Sequence, residues 1–127
     1  MMNKKIINTD KVPGAIGPYS QGIVAGGFLY TSGQLPIHPE TGIVPSTIEE
    51  QTRQVLDNLK AIIESAGSSL EKVIKCTVYI QDMNDFDTVN KIYATYFLNN
   101  APARACVEVS KMAKNALVEI DAVATIE

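Results

Sequence analysis

Two ionisable side chains near the C-terminus suggest how this chain could handle a small organic acid. Arg104 lies in Ala103–Val109, where alternate residues are small or apolar, a pattern typical of a β-strand. Its guanidinium keeps its charge, and its planar fork matches a carboxylate. Glu119 holds a polar position in the alternating run Leu117–Ile126. We therefore expect an anion clamp and a carboxylic acid on the non-core face of one sheet, forming a site for a small acidic substrate.

The spacing of these residues leaves structural alternatives open. Arg104 could form an ion pair with Glu108 or Glu119, and a lone glutamate on a strand is often simply solvated. A hairpin of the last two strands would place Glu108 opposite Glu119, which is unfavourable for like charges, with Arg104 several residues away. Either another strand lies between the two groups, or they meet by another route, such as across subunits.

The composition bounds the class of protein. The 127 residues are 46% hydrophobic and 20% charged, with a net charge of −3, which fits a single domain over residues 1–127. The acidic balance and the lack of a basic stripe disfavour a nucleic-acid partner. No segment has the pattern of a signal peptide or the length to span a bilayer, so we expect no membrane association and a cytoplasmic location.

The cysteines and the histidine argue against metal and nucleophilic chemistry. Cys76 and Cys106 lie in predicted strands, which favours reduced thiols over a disulfide framework. Cys106 has no histidine in an obvious partner position, so we do not expect it to be a nucleophile. His38 is the only histidine, and one histidine in a proline-rich loop does not make a metal site.

The hydrophobic pattern predicts the element order βββ-α-β-α-β-β. Gly26-Gly27 indicates a tight hairpin, and a capping box at Ser46 or Thr47 starts the first helix. The predicted elements are strands at Lys5–Asn8, Gly22–Ala25, Phe28–Thr31 and Val73–Gln81, helices at Ile48–Ala66 and about Asp85–Leu98, and the two C-terminal strands. Each helix has one apolar stripe, so both should cover the same face of a mixed sheet.

The second face of this sheet needs its own cover. In the strand Val73–Gln81 we expect Ile74, Cys76, Val78 and Ile80 on the core side. Phe28, Tyr30, Tyr79 and Val123 then point to the other side. A domain of this size has no further element to bury them, so we expect contact with identical subunits.

Four segments carry a family resemblance in their order along the chain. They are Ile16–Gln21, Leu29–Pro36, Pro102–Val109 and Val118–Ala124. They resemble the Rid (reactive intermediate deaminase) family, in particular its RidA branch of 2-iminobutanoate/2-iminopropanoate deaminases. The resemblance covers essentially the whole chain. It implies a chorismate-mutase-like α+β fold, with two helices packed on one face of a mixed six-stranded sheet, and a homotrimer with active sites between subunits.

The resemblance also implies an activity and its residues. The substrate would be a 2-imino acid or its enamine, released by pyridoxal-phosphate dehydratases and hydrolysed to a 2-oxo acid and ammonia without a cofactor or metal. Arg104 would bind the carboxylate and Glu119 would position the attacking water. Tyr19, Ser32 and Gly33 match substrate-binding positions, Cys106 matches one that acts mainly through its backbone, and Asn90 matches an asparagine from a neighbouring subunit. One departure is Lys111–Lys114, where many relatives carry Leu-Pro.

Other interpretations of the same residues remain. Tyr19 could only pack the glycine-proline loop, Asn90 could cap its helix or face solvent, and Gly33 could serve a turn. We expect the cluster of Tyr93, Tyr96 and Phe97 to be core. Two other function classes also stay open: a non-catalytic protein that binds a 2-oxo acid, and an RNA-directed role, since ribonuclease activity or inhibition of translation is attributed to some family members.

Overall fold

One mixed sheet organises the structure, a computed structural model that describes residues 3–127. Its strands are β1 (Lys5–Ile7), β2 (Gly22–Ala25), β3 (Phe28–Thr31), β4 (Val73–Ile80), β5 (Ala103–Glu108) and β6 (Val118–Thr125), and the helices are α1 (Ile48–Ser65) and α2 (Phe86–Tyr96). The strand order is β1-β2-β3-β6-β4-β5. Only β4 and β5 pair in parallel within the described chain. The predicted α+β class, with two helices and six strands, is confirmed.

Helix α1 begins where the sequence predicts a capping box. The Thr47 hydroxyl accepts a hydrogen bond from the Glu50 amide at 3.2 Å and donates to the Glu50 carboxylate at 3.3 Å. The first of these bonds satisfies an amide that the first turn leaves without a helical partner, and the second links the two side chains. Gly67 lies just beyond the helix and has a φ of 84°. This left-handed conformation ends the helix, and glycine adopts it more readily than other residues do.

The hairpin of β2 and β3 also follows from local sequence. Gly26 and Gly27 have φ of 60° and 84°, as a two-residue primed turn requires. This turn fixes the register in which Gly22 pairs with Thr31. It therefore decides which residues of β3 face the helices and which lead into the loop at Ser32.

The hydrophobic core lies between the helices and one face of the sheet. Fully buried side chains of α1 such as Leu56 and Ile62 pack over Leu29, Val78 and Ile120 of the strands. Each such side chain stabilises the fold by about 1.5–3 kcal/mol. The other face of the sheet has no covering element in the described chain.

One residue expected in this core lies outside it. Ile74 is 44% exposed, so its predicted place beside Cys76 and Val78 is wrong. The register of β4 against β6 shifts between Val73 and Lys75. Such an irregularity moves a residue out of the alternation that a regular strand would impose.

Strand β4 lies between the two C-terminal strands. Residues of β4 pair with β5 on one side and β6 on the other. Of the alternatives for these strands, the intervening strand is the one present, so Glu108 and Glu119 are not opposed in a hairpin. No helix among residues 3–127 has the length and hydropathy needed to cross a membrane.

Removal of the α1 cap provides a test of this local account. We expect Thr47→Ala to lower the free energy of unfolding by about 1 kcal/mol, because the first turn loses its side-chain acceptor. Urea denaturation measures the change. Ser46→Ala is the matched control, since Ser46 is exposed and Thr47 holds the cap; an equal loss in both variants would contradict the assignment.

Candidate active site

An open depression beside the end of β3 collects part of the predicted site. Tyr19, Ser32, Gly33 and Glu119 line a cavity of about 340 Å³, together with Ile16, Leu35 and Ala113. The two loops after β1 and β3 and the strand β6 meet here. This volume suits a small ligand.

Gly33 is needed here because the Glu119 side chain lies directly on it. A methyl group built on Gly33 would overlap Glu119 Oε2 and come within 2.9 Å of Glu119 Cδ. The φ of Gly33 is outside the left-handed region, so space and not backbone freedom requires the glycine. Close packing against Glu119 therefore accounts for this glycine without a turn.

The Glu119 carboxyl group is poised to hold a proton more readily than an ordinary glutamate. Partial burial raises its pKa, and the nearby Asp121 carboxylate raises it further. Asp121 itself accepts a hydrogen bond from the Tyr79 hydroxyl at 3.2 Å, and the alternation of β6 places the two acids side by side on one face. A carboxyl group with a raised pKa can exchange protons near neutral pH more effectively than an exposed one.

The buried amide of Gln21 fixes the loop that carries Tyr19. Its nitrogen donates to the carbonyls of Thr9 and Pro13, both at 3.1 Å, and its oxygen accepts from the Thr9 amide at 2.8 Å. The Tyr19 hydroxyl accepts from the Ile16 amide at 3.3 Å, while its side chain is 45% exposed. The loop is thus tied down at its base, and the phenol stands at the rim of the cavity.

Ser32 is held by the same loop. Its hydroxyl donates to the Ser20 carbonyl, and its amide donates to the Gln21 carbonyl at 2.9 Å. Because the hydroxyl proton is engaged, the free capacity of Ser32 Oγ toward a ligand is that of an acceptor.

Arg104 lies on the opposite face of the sheet from Glu119, which corrects the sequence-based expectation. Arg104 pairs with Cys76, a fully buried core residue, whereas Glu119 pairs with Tyr79, three positions further along β4. Paired residues share a face and successive residues alternate. The small residues Ala103 and Ala105, taken as the core side, are exposed instead.

This error has a physical cause. The face of β5 is set by its register on β4 and not by its own composition. At this edge of the sheet, Arg104 and Cys106 lie on the helix-covered side and are only half-buried. The two groups that were expected to share one face are therefore separated by the sheet and by about 10 Å along the strands.

The Arg104 guanidinium contacts only neutral groups in the described chain. Its Nη1 donates to Asn90 Oδ1 at 2.7 Å, and its Cζ lies 4.9 Å from the ring centre of Tyr93 and 5.5 Å from that of Phe86. Glu108, the other candidate partner, accepts from the Met83 amide at 2.8 Å. A structural ion pair therefore does not occupy Arg104 here, and most of its five donors stay available to an anion.

Asn90 and Cys106 complete this second cluster. Asn90 does not merely face solvent, since its amide oxygen holds Arg104. Burial raises the pKa of the Cys106 thiol, and Arg104 offsets this only in part, so the neutral thiol prevails near pH 7. β5 is one of the two edge strands, so one side of its backbone has no strand partner and can contact a ligand.

His38, the residue considered for a metal, is half-buried in its loop and engaged in local hydrogen bonds. His38 Nδ1 accepts from the amides of Glu40 and Thr41 at 3.2 and 3.3 Å, which stabilises a turn. Among residues 3–127, no cluster of three or more histidine, cysteine or acidic side chains could hold an ion. Cys76 and Cys106 are both free thiols.

Known proteins match this sequence along most of the chain. Residues 9–126 match the family described as Endoribonuclease L-PSP. The chain belongs to this family. A RutC family protein of Pyrococcus horikoshii is 57% identical over 95% of this chain and 97% of its own length. The 2-iminobutanoate/2-iminopropanoate deaminase of Escherichia coli is 49% identical over 94% of this chain and 96% of its own length.

Solved structures of the endoribonuclease L-PSP family agree with the fold. The crystal structure of Escherichia coli TdcF with bound serine has a TM-score of 0.94 at 44% identity, covering 97% of this chain and 99% of that one. The name of TdcF places it among the reactive intermediate deaminases. The resemblance to the Rid family noted in the sequence is therefore confirmed.

Several residues of the two clusters were missed or given another role. Ile16, Leu35 and Ala113 line the cavity, and Ala113 lies in Lys111–Lys114, where the sequence departs from many relatives. That departure was the available signal, although it was expected to affect only a loop. Tyr93 was predicted as core, and it is buried, but its ring also contacts Arg104.

A methyl group at position 33 should disable the cavity. We expect Gly33→Ala to reduce turnover about a hundredfold, because the displaced Glu119 carboxylate loses its geometry. The steady-state assay of imine decay, applied to the folded variant, measures this change. Gly14→Ala is the matched control, since a methyl there meets no atom within 4 Å; equal activity of the two variants would contradict the packing argument.

Glu119 should reduce stability at neutral pH. Its folded-state pKa is raised, so the native state binds the proton more tightly and stability is lost as pH rises from the unfolded pKa of about 4.3 through the folded value. We expect Glu119→Gln to be more stable than the natural chain at pH 7, with a difference that shrinks toward pH 4. Urea denaturation at both pH values checks this, with the exposed Glu64→Gln as control.

Proposed function

We propose that this protein hydrolyses reactive 2-imino acids and their enamines, such as 2-iminobutanoate and 2-iminopropanoate, to 2-oxo acids and ammonia. The main support is the Arg104 guanidinium, which contacts only neutral groups in the described chain. The chain is also 49% identical to a protein named for this deaminase activity. A substrate carboxylate supplies the missing counter-charge. Glu119, a carboxyl group with a raised pKa, lines a cavity of suitable size.

The proposed reaction uses side chains and water alone. Arg104 binds the carboxylate and orients the imine. As the carboxylate, Glu119 takes a proton from water while the water oxygen adds to the imine carbon, and it passes that proton to the nitrogen, which gives a neutral carbinolamine. Glu119 then takes the carbinolamine hydroxyl proton and gives it to the leaving nitrogen as the carbon–nitrogen bond breaks, so that ammonia and a 2-oxo acid depart and the carboxylate is restored. Tyr19, Ser32, the Gly33 backbone and the Cys106 backbone would hold the ligand and the water.

The proposed site requires two copies of the chain. Arg104 and Glu119 lie on opposite faces, so one copy does not present both groups to the same small molecule. We infer a chorismate-mutase-like homotrimer in which Arg104, Asn90 and Cys106 of one subunit face the depression of the next. The uncovered face, where Tyr30 is 49% and Val107 is 42% exposed, supports this assembly.

Two rival functions give different outcomes. A non-catalytic binding protein would bind 2-oxobutanoate without accelerating imine decay. The family description, Endoribonuclease L-PSP, keeps an RNA-directed role as a candidate, although the net charge of −3 gives it little electrostatic support. We also propose a cytoplasmic location, where the free thiols stay reduced.

Imine decay tests the activity. A dehydratase that generates 2-aminoacrylate or 2-aminocrotonate in the cuvette provides the substrate, and the protein should accelerate its loss over buffer. Arg104→Ala should abolish this acceleration. No acceleration by the folded natural protein would reject the proposal, while binding of 2-oxobutanoate alone would favour the binding protein. RNA cleavage that Arg104→Ala removes would favour the RNA-directed role.

Mixed assemblies test whether the site is shared. We expect inactive Arg104→Ala and Glu119→Gln chains to regain about a quarter of the natural activity when co-assembled in equal amounts, because about half of the positions supply each intact residue. The control mixes Arg104→Ala with the doubly substituted chain, which leaves no intact arginine. Without recovery in the first mixture, the two-copy site is wrong.

A further inference from the structure

The surroundings of Arg104 place two aromatic rings where a carboxylate partner would be expected. The guanidinium carbon lies 4.9 Å from the Tyr93 ring centre and 5.5 Å from that of Phe86, within the range of cation–π attraction. Both rings belong to α2, and so does Asn90, whose side chain accepts from Nη1 at 2.7 Å. One helix therefore supplies the side-chain hydrogen bond and both aromatic rings that contact the guanidinium.

We propose that the ring faces of Tyr93 and Phe86 form an aromatic seat that positions the Arg104 guanidinium for the substrate carboxylate. The inference rests on the proposed function, because it deepens the role of the same arginine. The two aromatic residues are positioning residues, since they act through Arg104.

Neutral aromatic rings can orient the Arg104 guanidinium without competing with the substrate for it. A carboxylate beside Arg104 would hold the guanidinium but would also compete with the substrate for its charge and donors. An aromatic face attracts the cation through its quadrupole and leaves the N–H donors at the rim of the guanidinium free. Asn90 takes one donor, so the opposite edge of the fork remains available for bidentate contact.

The Tyr93 hydroxyl does not explain why a tyrosine stands at this position. The hydroxyl is buried against the Cys76 thiol, whose sulfur is a weak hydrogen-bond acceptor, and it has no stronger partner in the described chain. A buried hydroxyl without such a partner is a cost to folding that phenylalanine would avoid. The feature of Tyr93 that the site uses is therefore its ring face, and the hydroxyl contributes little.

Substitutions of Tyr93 that remove the aromatic ring but keep an apolar side chain provide the test. Calorimetry measures the affinity for 2-oxobutanoate, a stable 2-oxo acid, and imine decay gives KM and kcat. We expect Tyr93→Leu to weaken 2-oxobutanoate binding and raise KM about five- to thirtyfold with a smaller change in kcat, since orientation of the cation is lost. Tyr93→Phe should keep most of the affinity and match or exceed the natural stability.

Matched variants distinguish positioning from packing. Tyr96→Leu removes another ring of α2, whose hydroxyl bonds to Asp57 at 2.7 Å away from Arg104, and should leave the affinity unchanged. In an Arg104→Ala background, Tyr93→Leu should cause no further loss of affinity. If circular dichroism reveals that Tyr93→Leu does not fold, Phe86→Leu takes its place in the same comparison.

The outcomes separate this inference from the proposed function. Unchanged affinity in the folded leucine variant, equal loss in Tyr96→Leu, or absence of 2-oxobutanoate binding by the natural protein would each overturn the aromatic seat. The deaminase proposal is judged separately, by whether the natural protein accelerates imine decay.

Discussion

The register of the strands around β4 is the constraint on which the rest of the structure depends. Cys76 and Tyr79 are three residues apart on β4, so their side chains point to opposite faces of the sheet. Arg104 pairs with Cys76 and lies on the core side, whereas Glu119 pairs with Tyr79 and lies on the open side. A slip of one residue in either pairing would exchange these faces. The core residues Val78, Ile80 and Ile120 hold the register, because a slip would expose them to water.

Two opposite solutions to the problem of a half-buried charge follow from this register. On the core side, the Arg104 guanidinium contacts aromatic faces and an amide, with no carboxylate among its contacts in the described chain. On the open side, Glu119 lies beside Asp121, and both acids have raised pKa values. The first arrangement preserves a cation for an anionic ligand, and the second makes a carboxyl group ready to bind and release a proton.

Local features of the fold could be predicted from the sequence because their causes are local. The Thr47 cap, the Gly26-Gly27 turn and the stripe of α1 depend on residues within a few positions of one another. Ile74 and Arg104 were misplaced because their orientation depends on a register shift and on a partner strand about thirty residues away along the chain. For the site, Tyr19, Ser32, Gly33 and Glu119 were placed together only through the family resemblance, and Ala113 was missed because a loop residue leaves no periodic pattern.

The separation of Arg104 and Glu119 by the sheet has a consequence for the protein as it is made and diluted. In the proposed assembly, a single copy can be fully folded, with its core intact, and still be inert. Its catalytic output would then rise more steeply than its abundance at low concentration, because every working crevice needs an encounter between copies. A newly synthesised chain would remain inactive until it assembles with other copies of the same chain.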